Sequence, residues 1–463
     1  MQARYILCAL VAGAVLAASC KKELNLQDPQ ALNPQGAVST DANVKRVLQG
    51  GYDAISSASL YGGDLQIMAD LSGSDGELSW KGTFNSYREI WGKTIITTNS
   101  LITTTWTRAY NAINIANSVL EGLPVVAAAD KNRVQGEALF IRAIMHFELV
   151  RFYAKNYTDG SAGSNPGVPL MKTPVKSIPD ITKPTRSTVE AVYASVIEDL
   201  TQAETLLPAT NSFYATKSAA AAILSRAYLQ KADYAGARDA ASRAIANATG
   251  KSLLPQFMDN FNQSANTAET VFAIQVSDQD GANDLQVFYS VDIFGARDGD
   301  IEVNPKHLNL YEAADVRRSS TNNPTAATQY QFNTAFYVKY GASRTTKFRD
   351  LYKNIAVIRL AEMYLTRAEA NYRLGTAAGD SPLNDINRIR SRAGVTSFTA
   401  IPDVNAVYLE RRKELAFEGF SIHDAKRFQR TIDGKPWNDN KLIFPIPFRE
   451  LNANPGLTQN AGY

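Results

Sequence analysis

The sequence predicts a mainly α-helical fold in which antiparallel helix pairs stack into a scaffold, with long irregular loops and a few short strands. Three observations support this prediction. Apolar residues recur at i, i+3, i+4 and i+7 over much of the chain, which is the spacing of one helix face. Neighbouring helical stretches are rich in alanine and joined by short turns, as in tetratricopeptide units. Residues 59–99 and 277–348 lack this spacing and are rich in glycine, polar and aromatic residues.

The N-terminus has the three parts of a secretory signal. A basic Arg4 precedes an apolar or small run over residues 5–18, which leads into Ser19 and Cys20. The run is too short for a permanent transmembrane helix, and no later stretch contains about 18 consecutive apolar residues. The letters L-A-A-S-C at its end look like a bacterial lipobox. We therefore predict a signal peptide over residues 1–19 and acylation of Cys20.

The cysteine content agrees with a lipid anchor. Cys8 would leave with the signal peptide, so Cys20 would be the only cysteine of the mature chain and an internal disulfide is excluded. Acylation is favoured over a free thiol or an intermolecular bridge because Cys20 lies at the end of the apolar run. Two or three acyl chains hold a protein at a membrane without a spanning helix. Residues 20–40 lack helical spacing and are expected to form an extended linker.

Residues 41–268 are predicted to form the N-terminal helical part. The clearest helix pair combines residues 217–230 with residues 234–248, whose alanine-lined faces resemble a tetratricopeptide unit. The other predicted helices of this part cover residues 41–57, 104–122, 132–157 and 187–207. An arginine followed by an alanine recurs in these helices and in a later one, at Arg108, Arg142, Arg226 and Arg367.

A further amphipathic helix is predicted from Val357 to Gly375. Its small residues allow a neighbouring helix to approach closely, and Glu369 and Arg373 form a favourable i, i+4 pair. Gly375 suits a left-handed C-cap. A partner helix is predicted over residues 381–394, beginning at a serine and ending at a glycine.

The two irregular stretches are candidates for a binding surface. Loops of this length within a compact domain are usually functional or disordered, and their aromatic residues argue against disorder. In the first stretch the candidate rings are Trp80, Phe84, Tyr87 and Trp91. Trp80 is expected to be exposed, whereas Tyr87 and Trp91, four residues apart, could equally pack onto the helices. The second stretch follows a predicted short strand at residues 269–276. Its rings could join the first stretch in one surface or fill a small core of their own: Tyr289, Phe294, Tyr330, Phe336 and Tyr337.

The composition is that of a globular protein and disfavours a nucleic-acid partner. The chain has ordinary globular proportions, with 45% hydrophobic and 20% charged residues among 463. Its 48 Lys and Arg residues against 45 Asp and Glu give a net charge of only +3 without a basic stripe, which disfavours a nucleic-acid partner.

No cofactor site, metal site or catalytic centre is predicted. The three histidines are far apart in the sequence and do not form a metal-ligand pair. Residues 278–281 and 298–300 could offer oxygens to calcium, but the first group departs from the EF-hand pattern. Glu414 and Glu418 could be taken for a glycosidase pair. Two glutamates one helical turn apart point the same way, however, and belong more often to a solvated or ion-paired face.

Three motifs in the C-terminal part carry a resemblance to a known family. They are A-E-M-Y-L-T-R-A-E-A at residues 361–370, R-R-K-E-L-A-F-E-G at residues 411–419, and P-I-P-F-R-E-L-N-A-N-P-G-L-T-Q-N-A-G-Y at residues 445–463. In this order they resemble the SusD/RagB family of outer-membrane nutrient-binding lipoproteins. The resemblance covers most of the mature chain and is strongest after Ile355.

The resemblance implies a SusD-like fold and a lipid-anchored receptor at the cell surface. Such a receptor would capture oligosaccharides, or peptides in some relatives, and cap a SusC-like TonB-dependent transporter without doing chemistry. Capture of sugar rings needs flat aromatic faces with amide and charged groups beside them. The aromatic candidates in this sequence are Trp80, Tyr87, Trp91 and Tyr289, and the polar candidates are Asn85 and Arg88.

The chain is thus expected to consist of a signal peptide, a linker, the N-terminal helical part, an irregular region over residues 269–350 and a C-terminal helical region over residues 351–463. Two other functions remain open. One is a helical scaffold that faces the periplasm and binds only protein, and the other is a glycan hydrolase.

Overall fold

The computed structural model describes residues 36–177, 180, 182–318, 320–322 and 335–463. The predicted signal peptide, Cys20, most of the linker and Tyr330 lie outside the described residues. Within the described residues the mainly α-helical prediction is confirmed, and the strands are few and short. No helix among them is both long and apolar enough to cross a membrane.

The longer helices form the scaffold and the shorter ones lie in or beside the irregular regions. The α-helices are α1 Asp41–Ser56, α2 Asp64–Gly73, α3 Asn85–Trp91, α4 Ser100–Glu121, α5 Ala128–Tyr153, α6 Val189–Leu206, α7 Lys217–Gln230, α8 Tyr234–Asn247, α9 Asp284–Tyr289, α10 Pro305–Leu308, α11 Leu360–Leu374, α12 Pro382–Arg392, α13 Val404–Glu414, α14 Ser421–Arg427 and α15 Phe448–Ala453. The strands are β1 Leu78–Trp80, β2 Thr270–Ile274, β3 Ile301–Val303, β4 Ser320–Asn322, β5 Phe336–Lys339, β6 Ala342–Thr345 and β7 Ile355–Arg359.

The scaffold is a continuous stack of helix pairs. Helix α1 packs on α4, α4 on α5, α5 on α6, α6 on α7 and α7 on α8. Helix α11 then packs on α8 and is itself covered by α12 and α13, although the whole irregular region separates α8 from α11 in the sequence. Helix α5 is buried on all sides from Gly136 to Val150, as expected for a helix without a polar face at the centre of a stack.

The recurring arginines join neighbouring helices of the stack. Arg142 of α5 makes two hydrogen bonds to the Asp199 carboxylate of α6, at 2.8 and 2.7 Å. Two further pairs share this two-bond geometry: Arg226 of α7 with Glu362 of α11, and Arg367 of α11 with Asp385 of α12. Planar guanidinium groups suit such buried carboxylate pairs because both bonds form at once. Arg108 differs from the other three because it is exposed on α4.

The start of the helix predicted at Val357 is wrong by three residues. Residues 355–359 form strand β7, which pairs with β2 in an antiparallel two-stranded sheet, and helix α11 begins only at Leu360. The β-branched residues Ile355, Val357 and Ile358 fit a pleated strand better than the first turn of a helix. The predicted left-handed cap at Gly375 is confirmed by its φ of +63°.

The two irregular stretches meet in one five-stranded sheet, whose strand order is β1-β3-β6-β5-β4. Strand β1 of the first stretch pairs with β3 of the second in antiparallel register, with Leu78 opposite Val303 and Trp80 opposite Ile301. The two paired strands are more than 200 residues apart in the chain, so the two stretches share one surface.

Candidate functional site

The aromatic residues of the first stretch form a wall that is mostly buried. The Trp80 ring is stacked on Tyr87 of α3 with a centroid distance of 4.8 Å, and Phe288 of α9 lies against both. Trp80 is only 2% exposed and Tyr87 only 4%. The expectation that Trp80 is exposed is therefore wrong. Its position in β1 explains the difference, because alternation along the strand places Leu78 and Trp80 on the same, buried face.

The other predicted contact residues divide into buried and accessible ones. Tyr289 is fully buried, and its hydroxyl donates a hydrogen bond of 3.2 Å to Asp70 Oδ2. Trp91 is half-buried, with its indole N–H donating to the Leu78 carbonyl at 2.9 Å. Asn85 and Arg88 are exposed, and Arg88 Nη2 donates to the Gly82 carbonyl at 2.6 Å. Of the six residues, only Asn85, Arg88 and part of Trp91 can meet a ligand in this conformation.

A cleft of about 710 Å³ opens beside this wall, and both irregular stretches contribute to it. This volume falls within the range of ligand sites, about 300 to 1,000 Å³. We call it the β1–β3–β6 cleft, because its lining comes from the residues after β1, from the residues before and within β3, and from the β5–β6 turn and β6. The lining residues are Lys81, Gly82, Thr83, Arg297, Asp298, Gly299, Asp300, Glu302, Tyr340 and Arg344.

Tyr340 is the most exposed large side chain in the cleft. It stands at the turn of the β5–β6 hairpin, where Lys339 pairs with Ala342, and its ring is 59% exposed. Its hydroxyl donates to Asp292 Oδ2 at 2.9 Å. Both turn residues, Tyr340 and Gly341, have positive φ, as a two-residue hairpin turn of type I′ requires. The letters Y-G between two alternating runs are the sequence signal for this turn.

Phe84 provides a second accessible ring beside the cleft. It immediately precedes α3 and is 46% exposed. The Arg297 guanidinium lies 4.8 Å from its centroid. The segment between Trp80 and Phe84 needs a glycine at position 82. A Cβ there would lie 2.6 Å from both the Trp80 ring and the Asp300 carboxylate. The buried wall thus fixes the accessible ring in place.

Charged side chains of both signs line the cleft. Arg297 Nε donates to Asp300 Oδ2 at 2.7 Å. Glu302 accepts from Arg344 Nη2 at 3.3 Å, and the Lys81 ammonium lies 3.7 Å from the other oxygen of the same carboxylate. Such groups suit hydroxyl recognition because a paired carboxylate or guanidinium keeps unused acceptor or donor sites.

Buried carboxyl groups stand directly behind the aromatic wall. Burial and the negative charge of Asp284 together raise the pKa of Asp64 to about 8, and burial raises that of Asp284 to about 6. The Tyr87 hydroxyl donates to Asp64 at 2.5 Å. Burial likewise raises the pKa of Asp70 to about 8, although Asp70 accepts hydrogen bonds from Tyr289 and from the Gly419 N–H. Asp64 and Asp70 therefore keep their protons at pH values at which an exposed carboxyl group is ionised.

The raised pKa of Asp70 makes the free energy of unfolding depend on pH, and it also decides whether that free energy rises or falls with pH. The unfolded carboxyl group loses its proton near pH 4 and the folded one near pH 8, so the folded state binds more protons in between. The free energy of unfolding should fall as pH rises through this window, by up to about 1.4 kcal/mol per pH unit for one proton. We expect Asp70→Asn to remove the part of this slope that Asp70 contributes, while the raised pKa values of Asp64 and Asp284 keep the rest. Urea unfolding series measure the slope, with Asp53→Asn on the exposed face of α1 as control. An unchanged slope would contradict the assignment.

Glu414 and Glu418 do not form a glycosidase pair. Glu414 is fully buried among Arg392, Arg359 and Arg317, with 3.1 Å to each of the last two. Burial alone would raise the pKa of Glu414, but these guanidinium groups outweigh it and hold the pKa well below its usual range. The pKa of Glu418 is lowered in the same way, against burial, by Arg359 and Lys347. Neither glutamate can therefore act as a general acid near neutral pH.

Among the described residues, no cluster of three or more His, Cys, Asp or Glu side chains could hold a metal ion. Asp280 accepts hydrogen bonds from the N–H and the hydroxyl of Ser277, and Asp300 pairs with Arg297. These two acidic residues of the possible calcium groups thus have structural partners.

The chain matches family models and known relatives. Residues 27–229 match the model described as starch-binding and associating with the outer membrane, and residues 275–441 match the model of the SusD family. The SusD-like protein P2 of Formosa agariphila is 26% identical over 491 aligned positions, which cover 93% of this chain and 94% of that protein.

The starch-binding protein SusD of Bacteroides thetaiotaomicron is 33% identical, but over only 24% of this chain and 22% of its own length. A crystal structure of a SusD superfamily protein from the same species superposes with a TM-score of 0.79 at 26% identity, covering 91% of this chain and 99% of that one.

Proposed function

The chain belongs to the SusD family of glycan-binding proteins associated with the outer membrane, and on this premise we propose that it binds oligosaccharide nutrients in the β1–β3–β6 cleft. The observation that carries the proposal is the placement of two exposed rings, Phe84 and Tyr340, beside paired charges in a cleft of about 710 Å³. Flat rings bind the apolar faces of sugars, and the charged groups bind their hydroxyls.

We propose different roles for the six residues that the sequence nominated. Asn85 and Arg88 are accessible beside Phe84 and remain candidates for polar contacts. Trp80, Tyr87 and Tyr289 are buried and would support the wall, and Trp91 could offer only its exposed edge. Direct stacking would fall to Phe84 and Tyr340 instead.

Removal of the two exposed rings should weaken binding without unfolding the protein. We expect Phe84→Ala and Tyr340→Ala each to raise the Kd for the cognate oligosaccharide by about tenfold, since one stacking contact contributes about 1 to 1.5 kcal/mol. Isothermal titration against soluble glycans that affinity gels identify as ligands would measure the change. Phe213→Ala is the matched control, because Phe213 is also 46% exposed but lies outside the cleft, in the α6–α7 connection. Unchanged affinity in both cleft variants would reject this surface.

Residues 36–40 lead into the N-terminal end of α1. Helix α1 has 16 residues and is therefore about 24 Å long. Its C-terminal end leads into Gly62, whose carbonyl accepts a hydrogen bond of 3.0 Å from the Asp284 N–H at the start of α9. Helix α9 carries Phe288 of the aromatic wall. We propose that the chain is lipidated at Cys20, which precedes α1 in the sequence.

We also propose that the protein faces the cell exterior and caps a SusC-like TonB-dependent transporter, to which it delivers ligand without changing it. Copurification with such a transporter tests the partnership, and protease treatment of intact cells tests the orientation. A chain that resists the protease would favour the periplasmic scaffold instead. Peptides belong in the binding panel, because a peptide ligand is the alternative within the same class.

A further inference from the structure

The charges in the β1–β3–β6 cleft are balanced and mutually engaged. Its cations are Lys81, Arg297 and Arg344, and its carboxylates are Asp298, Asp300 and Glu302. All three cations contact a carboxylate of the cleft, with the shortest distances between 2.7 and 3.7 Å. The lining therefore has no formal net charge.

Glu302 is the central member of this set because it holds two cations at once. One carboxylate oxygen accepts from Arg344 and the other faces the Lys81 ammonium. The Arg344 side chain is only 3% exposed, whereas that of Lys81 is 58% exposed. A buried guanidinium that loses its carboxylate partner is strongly destabilised, so a ligand cannot easily take Arg344 away from Glu302.

Among the described residues near the cleft, two further cations each have a contact of their own. The exposed Arg88 guanidinium donates to the Gly82 carbonyl, and the Lys339 ammonium lies 4.5 Å from the Tyr340 ring centroid. Asp298 is an exposed carboxylate in the lining and Asp292 accepts the Tyr340 hydroxyl. A carboxylate or sulfate on a ligand would meet these negative groups and would have to compete with Glu302 for its cations.

This inference rests on the proposed glycan-binding function and specifies its substrate class. We propose that the cleft selects uncharged oligosaccharides, and that Glu302 is the residue that excludes glycans with carboxylate or sulfate groups by occupying Lys81 and Arg344. Sugar hydroxyls can share the paired charges without separating them, because guanidinium and carboxylate groups retain further donor and acceptor sites. A carboxylate or sulfate could accept from the same donors, but it would lie beside the negative charges of Asp298, Asp300 and Glu302, which repel it.

The test compares neutral and anionic glycans on the full chain by affinity gel electrophoresis and titration calorimetry. The neutral probes are starch, β-glucan, xylan, mannan and dextran, and the anionic probes are polygalacturonate, alginate, carrageenan and dextran sulfate. We expect the wild type to bind at least one neutral probe and to bind every anionic probe at least about tenfold more weakly. In Glu302→Gln the ratio of anionic to neutral affinity should rise at least about tenfold, and high salt should remove the gain.

Two further variants keep the result interpretable. Lys81→Gln in the Glu302→Gln background should reverse much of the gain, because Lys81 is the more exposed of the released cations. Glu204→Gln removes a carboxylate paired with Arg243 on the scaffold and should leave the affinity ratio unchanged. Circular dichroism confirms that each variant is folded, and if Glu302→Gln is not, Glu302→Asp, whose shorter carboxylate loosens the hold on Lys81, is measured in its place.

The outcomes separate this inference from the proposed function. Two results would overturn the proposed selection of uncharged glycans but not the proposed glycan binding. One is tighter binding of an anionic than of a neutral probe by the wild type, and the other is an unchanged ratio of anionic to neutral affinity in the folded position-302 variant. Failure of every glycan to bind would overturn both.

Discussion

Glu414→Gln is expected to lower the free energy of unfolding by about 3 to 5 kcal/mol, the usual effect of removing one member of a buried ion network. Glu414 is fully buried and contacts Arg317, Arg359 and Arg392, which belong to three different parts of the chain. A neutral amide keeps the shape of the side chain but leaves these guanidinium groups with fewer carboxylates. Urea unfolding at neutral pH measures the loss.

The pH dependence of this loss is a second test of its origin. The folded pKa of Glu414 lies well below the ordinary value of 4.5, so its contribution to stability is full above that value and disappears as pH falls through the folded pKa. The difference between wild type and variant should therefore shrink in acid. Glu198→Gln is the control, because the Glu198–Lys172 pair is exposed and such pairs contribute less than about 1 kcal/mol. Equal losses in both variants would argue against the network.

The buried ion network explains why the C-terminal motifs identified the fold. In the segment R-R-K-E-L-A-F-E-G, Arg411 pairs with Asp424, while Glu414 and Glu418 bind arginines from distant segments. In the terminal segment, the Asn460 amide donates to the carbonyls of Tyr153 and Phe444. These polar residues are specific because each has a buried partner to satisfy. The motifs therefore predict which elements pack together.

Helical periodicity was sufficient for the scaffold but not for the irregular stretches. The pair α7 and α8 lies where the alanine-lined faces predicted it, because close packing needs small residues at helical spacing. Strands β1 and β3 have only three residues each, which is too short for an alternation pattern to stand out from a loop. Their pairing depends on residues more than 200 positions apart. Sequence order alone could not show that Trp80 lies inside the wall and Tyr340 outside it.

Trp80→Ala should lower the free energy of unfolding by about 3 to 5 kcal/mol, as for other large aromatic residues truncated within a core. The Trp80 ring is 2% exposed and packs on Tyr87 and Phe288, so alanine would leave a cavity between β1, α3 and α9. Thermal and urea unfolding measure the loss. Any loss of glycan binding should follow the loss of folded protein, since the ring has no accessible face for a sugar.

Two matched variants distinguish a supporting ring from a binding ring. The Trp80 indole N–H finds no hydrogen-bond partner among the described residues, so Trp80→Phe sacrifices volume but no polar contact and should cost clearly less than Trp80→Ala. Phe84→Ala, at a ring that is 46% exposed in the same cluster, should change stability little and affinity strongly. If folded Trp80→Phe lost glycan binding while Phe84→Ala kept it, the buried tryptophan would be the ligand contact and the division of the wall into inner and outer rings would be wrong.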